Sequence, residues 1–195
     1  MRATYLGQQW DVAKVRSTPY NTGEVLHAAL EVGVQPYGNW SGCHSIAWDA
    51  AAPPTGDREL TNLFSKQSYP LGIVVNRDAR RFIDEGADFR DYTYTKYGAE
   101  ILRQPAALAY QIFDAKTRPL LRDDEYNALG VSRYEPSTVW ELGEMLGLYP
   151  EELWRTVEEF NASIRPDKFD STARRATHAL NGLWVAFDES SRVVR

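Results

Sequence analysis

Apolar residues recur at helical spacing in four stretches of the chain and gather into short unbroken runs in between. In "STVWELGEMLG", Val139, Leu142, Met145 and Leu146 share one face, and Thr138 with Glu141 forms a capping box ahead of them. In "YPEELWRTVEEFNASI", Pro150 suits the first helical position and Glu151 and Glu152 favour the first turn. The stripe Leu153, Val157, Phe160 and Ile164 follows and reads as core. "NTGEVLHAALEVG" carries Val25, Ala28, Ala29 and Val32 on one face, with Asn21 or Thr22 as cap and Gly33 as the closing residue. Tyr94, Tyr97, Ile101 and Leu102 predict a helix over 93–104, ended by Pro105.

Three runs read as strands. "LGIVVN" and "RRFIDE" flank the turn "NRDA" and predict a hairpin, and "ALAYQIFDA" predicts a third strand. Residues 34–57 hold too many Gly and Pro for a helix and read as strand fragments in a long loop. The expected class is therefore α+β: a small, mostly antiparallel sheet of 72–76, 80–85 and 109–113 covered by helices. A doubly wound parallel sheet is not expected, because βαβ alternation behind a Gly-rich first turn is missing. After Arg165 the periodicity fades, and "STARRATHALNGLWVAFDESSRVVR" reads as a loosely attached tail.

Composition narrows the function classes. A formal net charge of -5 argues against a bulk nucleic-acid or membrane binder, since both need a positive field. Cys43 stands alone, which excludes an internal disulfide and a Cys-ligated metal, and points to a reducing, cytoplasmic setting. The opening "MRATYLGQQWDVAKVRS" lacks an apolar run of signal-peptide type, and no stretch reaches membrane-spanning length. The glycines of "GVQPYGNWSG" fit neither a dinucleotide fingerprint nor a P-loop, so the chain by itself is expected to bind no nucleotide cofactor.

Histidine and arginine carry the remaining chemistry. His27 belongs to a helix surface and His178 to the tail, whereas His44 lies in the Gly-flanked "NWSGCHSIAWD", where backbone can approach a ligand. No two histidines share metal-ligand spacing, so no metal site is expected. Cys43 and His44 are adjacent and point to opposite faces of an extended segment, which disfavours a thiol–imidazole pair. In "NRDARRFIDEGADFRDY", Arg77, Arg80 and Arg81 belong to the turn and second strand, and Arg90 stands just before a helix. A guanidinium is the preferred clamp for carboxylates. Asp84, Glu85, Asp88 and Asp91 are close enough in sequence to hold Arg90, or to form a solvated network of little energetic weight.

These residues carry a family resemblance. "GIVVNRDARRFIDEGADFRDYTYTKYG", followed by Gln104–Pro105 and by "QIFDA" at Gln111–Ala115, resembles the FAD-dependent fumarate reductase and succinate dehydrogenase flavoprotein superfamily, in its tricarballylate dehydrogenase-like branch. Upstream, "YNTGEVLHAALEVGVQPYGNWSGCHSIAWD" resembles the same branch, and the similarity runs from about Tyr5 to Asn161. The resemblance implies a fragment: residues 1–43 a remnant of the FAD-binding domain, 44–170 the capping or substrate domain, and 171–195 a divergent tail. It implies FAD in the complete enzyme but none in the isolated chain, which is then inactive unless a separate flavin-domain chain completes it. It implies that Arg90, after one inserted residue, is the catalytic arginine and binds substrate, and that His44 binds a substrate carboxylate. Thr22, Gly23 and Glu24 stand where the family meets its flavin, with Glu24 and Val25 replacing the usual Asp and Gly. The family's Glu and Arg proton relay is replaced by "FSKQSYPLG", which fits dehydrogenation of a small polycarboxylate better than fumarate reduction. Two other readings stay open beside it: a non-catalytic module binding small carboxylates or a partner protein, and carbohydrate binding through Trp40 and Trp48.

Overall fold

The computed structural model describes residues 2–164. The expected tail lies outside the described residues. Six α-helices run in chain order: α1 (Arg2–Leu6), α2 (Glu24–Glu31), α3 (Arg90–Leu102), α4 (Asp123–Tyr126), α5 (Val139–Leu146) and α6 (Pro150–Ser163). Two strands, β1 (Ile73–Val75) and β2 (Tyr110–Ile112), pair antiparallel with Ile73 opposite Ile112 and Val75 opposite Tyr110. The class is α+β.

The sheet is narrower than the sequence predicts. Residues 80–85 form no strand and contribute one isolated bridge, Arg81 to Val75. Side chains have taken over the ladder's partners. The buried Glu85 carboxylate accepts the Val74 N–H at 2.6 Å. Asn76 Oδ1 accepts the N–H groups of Asp78 and Arg80 at 2.9 and 3.1 Å, and Ala79 adopts a left-handed φ of 58°. The turn is set by these side-chain bonds, a competition that Asn and acidic side chains often win.

Both faces of β1 are covered. Ile73 and Val75 pack with Leu142, Leu153, Val157 and Phe160 of α5 and α6, and Val74 packs with Tyr69 and Tyr97 on the other side. The helical pair matches its sequence signals. Thr138 Oγ1 accepts the Glu141 N–H at 3.1 Å, although Glu141 reaches back to the N–H of Ser137 at 2.7 Å, one residue early. Gly147 turns left-handed at φ 65°, and Pro150 opens α6. Arg81 links the two halves: its guanidinium lies 4.7 Å from the Phe160 ring centre and donates through two nitrogens to Glu85.

Two further expectations change. The apolar face read on α2 is not covered: none of the helix's residues is buried, Val25 is 85% exposed, and Val32, just past its end, is 81% exposed. Its cap is Gly23 at φ 98°, without a side-chain bond from Asn21 or Thr22. The helix expected from residue 93 begins at Arg90, so this arginine lies inside α3 and not ahead of it.

Glu85 makes the fold pH-sensitive in a defined direction. Burial pushes its carboxyl above the ordinary value of 4.5, while Arg81 and the Val74 N–H pull the other way. A raised carboxyl contributes stability that is complete below its unfolded pKa and lost as pH rises through the folded value. Urea midpoints of wild type and Glu85→Gln, measured from about pH 4 to about pH 8, should therefore show the wild type losing ground as pH rises. A difference that is flat or moves the other way would show that the Arg81 pairing outweighs desolvation.

Candidate functional site

The candidate site is built along α3. Arg90 is its first residue, and three of the five guanidinium N–H donors are engaged: Nε and Nη2 on Asp91 Oδ1 at 3.0 and 2.6 Å, and Nη1 on Gln67 Oε1 at 3.1 Å. Both Asp91 contacts fall on one oxygen, and the Asp91 side chain is 72% exposed. Such a pair is worth about 0–1 kcal/mol and yields readily to a competing anion. Below it, the Tyr69 hydroxyl donates to the Arg90 carbonyl at 3.2 Å and anchors the helix start.

His44 reaches the same helix one turn on. Its Nε2 lies 2.8 Å from the Tyr94 hydroxyl, with the two rings edge-to-face at 5.3 Å. Ser45 Oγ donates to the Thr95 carbonyl at 3.1 Å. Gly98 lets the segment lie this close, since a Cβ there would stand 2.5 Å from the Ile46 nitrogen and the Ser45 carbonyl carbon. Residues 90 and 94 are four apart and share a helix face. The structure thus brings both predicted substrate residues, His44 and Arg90, to one face of α3. His44 also lines a cleft of about 740 Å³ between the N-terminal segment and α3, where Trp48, Lys66 and Ile101 are neighbours; Arg90 is not part of that lining.

The crowded charges of residues 77–91 resolve into separate jobs. Glu85 holds Arg81, Asp91 holds Arg90, Asp84 Oδ1 accepts the Gly86 N–H, and Asp88 Oδ1 accepts the Phe89 N–H. Arg77 and Arg80 are exposed. Among the described residues no group of three or more His, Cys, Asp or Glu could hold a metal ion. Sequence reasoning missed Gln67 and Tyr94, the direct partners of Arg90 and His44. The one local signal was Gly98, a glycine inside a helical pattern, which marks a close backbone approach.

Thr22, Gly23 and Glu24 form no cradle for a flavin pyrophosphate. Thr22 and Glu24 are exposed at the start of α2, and none of the three lines the cleft. Hydrogen bonds from Thr22 and from its own backbone hold the Glu24 carboxyl below the ordinary range.

No protein-family model matches the chain. A fumarate reductase (cytochrome) of Shewanella frigidimarina is 37% identical over 97 residues, 49% of this chain and 16% of that protein. A 4-oxocyclohexanecarboxylate 2-dehydrogenase of Sinomonas cyclohexanicum is 30% identical over 165 residues, 75% of this chain and 26% of that protein. The open conformation of a flavocytochrome c3 fumarate reductase superposes with a TM-score of 0.60 at 22% identity, covering 98% of this chain and 31% of that one; this likeness shows the fold. The chain therefore spans between about a sixth and a quarter of the curated relatives' length. It is fumarate reductase-like, and its homologues support a place in the FAD-dependent oxidoreductase superfamily. Among the described residues no helix is long and apolar enough to cross a membrane.

Gly98 gives a direct test of how the site is held. Helix propensity alone predicts that Gly98→Ala stabilises α3 by about 1 kcal/mol. The contacts with Ser45 and Ile46 are backbone and cannot swing aside, so a net loss of about 1–2 kcal/mol in urea unfolding is expected. A more stable variant would mean that residues 44–46 do not lie against α3.

Proposed function

We propose that this chain is the substrate-capping part of an FAD-dependent dehydrogenase acting on a small polycarboxylate of the tricarballylate type. The observation that carries the proposal is that His44 bonds Tyr94 on α3, one helical turn from Arg90. In this reading residues 44–170 cap the substrate, residues 1–43 belong to the flavin side, residues 171–195 form a divergent tail, and a separate flavin-domain polypeptide supplies the electron acceptor. A cytoplasmic location, suggested by the single cysteine, belongs to the same proposal.

His44 and Arg90 each take a substrate carboxylate, and Arg90 exchanges its loose Asp91 contact for the substrate's. Two parallel N–H donors match the two carboxylate oxygens, and orientation follows from that match. Arg90 also stands beside the proton that leaves the substrate. A guanidinium is never a free base in a protein, so the part of Arg90 is to clamp the substrate carboxylate next to the reacting C–H. Contact of Thr22, Gly23 and Glu24 with the cofactor belongs to the same reading.

Two outcomes test the proposal. The isolated chain, purified after expression, should be colourless, and a flavin band near one equivalent would contradict the assignment of the cofactor to another polypeptide. In an enzyme restored to the length of its relatives, Arg90→Lys keeps the charge and loses the fork. The loss of one charge-assisted bond, about 1.5–3 kcal/mol, corresponds to a drop of roughly 10- to 150-fold in kcat/KM for tricarballylate. Arg77→Lys, at an exposed turn, should leave it unchanged. Equal activity of both variants would remove Arg90 from the site, and carboxylate binding without turnover would favour the non-catalytic module.

A further inference from the structure

We infer that Tyr94 is a positioning residue: its hydroxyl donates to His44 Nε2, locks the imidazole in the Nδ1–H tautomer, and aims that N–H outward as the donor for an anionic ligand. The inference deepens the proposed substrate role of His44 and rests on it for the identity of the ligand, but not for the tautomer.

The direction of the bond follows from which partners the two groups have. Nε2 and the hydroxyl are 2.8 Å apart, the usual separation for a good hydrogen bond. A neutral imidazole has one N–H and one bare nitrogen, and the partner of one nitrogen decides which form persists. A phenol has a single proton to give, and no other acceptor for the Tyr94 hydroxyl is found among the described residues, so donating to Nε2 satisfies both groups. The bare nitrogen is then Nε2, and Nδ1 carries the proton. Among the described residues no side chain or carbonyl accepts from Nδ1, and His44 is exposed, so this N–H is available to a carboxylate.

The segment that carries the ring is also held to the helix. The edge-to-face packing on Tyr94, the Ser45–Thr95 bond and the close approach at Gly98 hold residues 44–46 to consecutive turns of α3. The same face carries Arg90 one turn earlier. An N–H donor for a carboxylate at His44 Nδ1 and the Arg90 guanidinium fork are thereby presented from α3 and the segment held against it, an arrangement that lowers the cost of orienting a ligand with two anionic ends.

The tautomer can be read directly on the chain without substrate or cofactor. Long-range nitrogen–proton NMR correlation spectra near pH 8, above the ordinary imidazole range, separate the two tautomers of each histidine. His44→Asn identifies which of the three imidazole patterns belongs to residue 44. The expected result is an Nδ1–H pattern for His44 in wild type and a shift to an Nε2–H or mixed pattern in Tyr94→Phe, which keeps the ring and deletes the hydroxyl. Ser45→Ala, which loosens the segment without touching the bond, should leave the wild-type pattern. An Nε2–H pattern in wild type, no change in Tyr94→Phe, or an equal change in Ser45→Ala would overturn the inference. None of these results bears on whether Arg90→Lys impairs the restored enzyme, so failure of the tautomer lock and failure of the proposed function are separately visible.

Discussion

A buried ion pair holds the two sides of this molecule in register. Lys66 and Asp49 meet at 3.4 Å, with side chains 11% and 1% exposed. Burial drives the Lys66 ammonium down from its ordinary pKa, and Asp49 and Glu125 work against that. Asp49 also accepts the Ser132 N–H and hydroxyl at 2.9 and 2.8 Å and the Ala51 N–H at 2.8 Å. Lys66 donates to the Glu125 carbonyl, and the Glu125 carboxylate accepts the Gln67 N–H at 3.0 Å. Removing one partner of such a pair leaves the other buried and uncompensated, at a cost of about 3–5 kcal/mol. The pair's importance lies in what it positions. It sets the segment that carries His44 on one side and the Gln67 that steadies Arg90 on the other.

How much of this was legible depended on whether the deciding partner was local. α5 and α6 declared themselves through caps, Pro150 and an apolar stripe, all within a few residues of one another. The 80–85 strand did not form because Glu85 and Asn76 took the backbone donors, and a propensity reading has no view of that competition. α2 shows the opposite failure. Its periodicity is real, but periodicity reports a capacity to be buried and not a partner that buries it.

The site followed the same division. His44 and Arg90 were singled out by residue chemistry and resemblance, and the fold brings them to one helix. Tyr94 lies fifty residues from His44, and Gln67 twenty-three from Arg90, separations over which a single sequence carries no pairing signal. The arginine cluster became readable only when each acid had been assigned. Arg81 is structural, clamped between Glu85 and the Phe160 ring, whereas Arg90 is held by an exposed acid and an amide.

Arg90 also occupies an electrostatically uphill position. As the first residue of a 13-residue helix it puts a full positive charge beside the positive end of the helix macrodipole, where an acidic side chain is ordinarily favoured. Asp91, in the same first turn, offsets part of that repulsion but from an exposed position where water screens it. The guanidinium and the helix end thus bring like charges together, with Asp88 and Asp91 beside them, in a chain whose net charge is -5. In the proposed reading, an anionic substrate docked on Arg90 would relieve part of that repulsion, which formed together with α3.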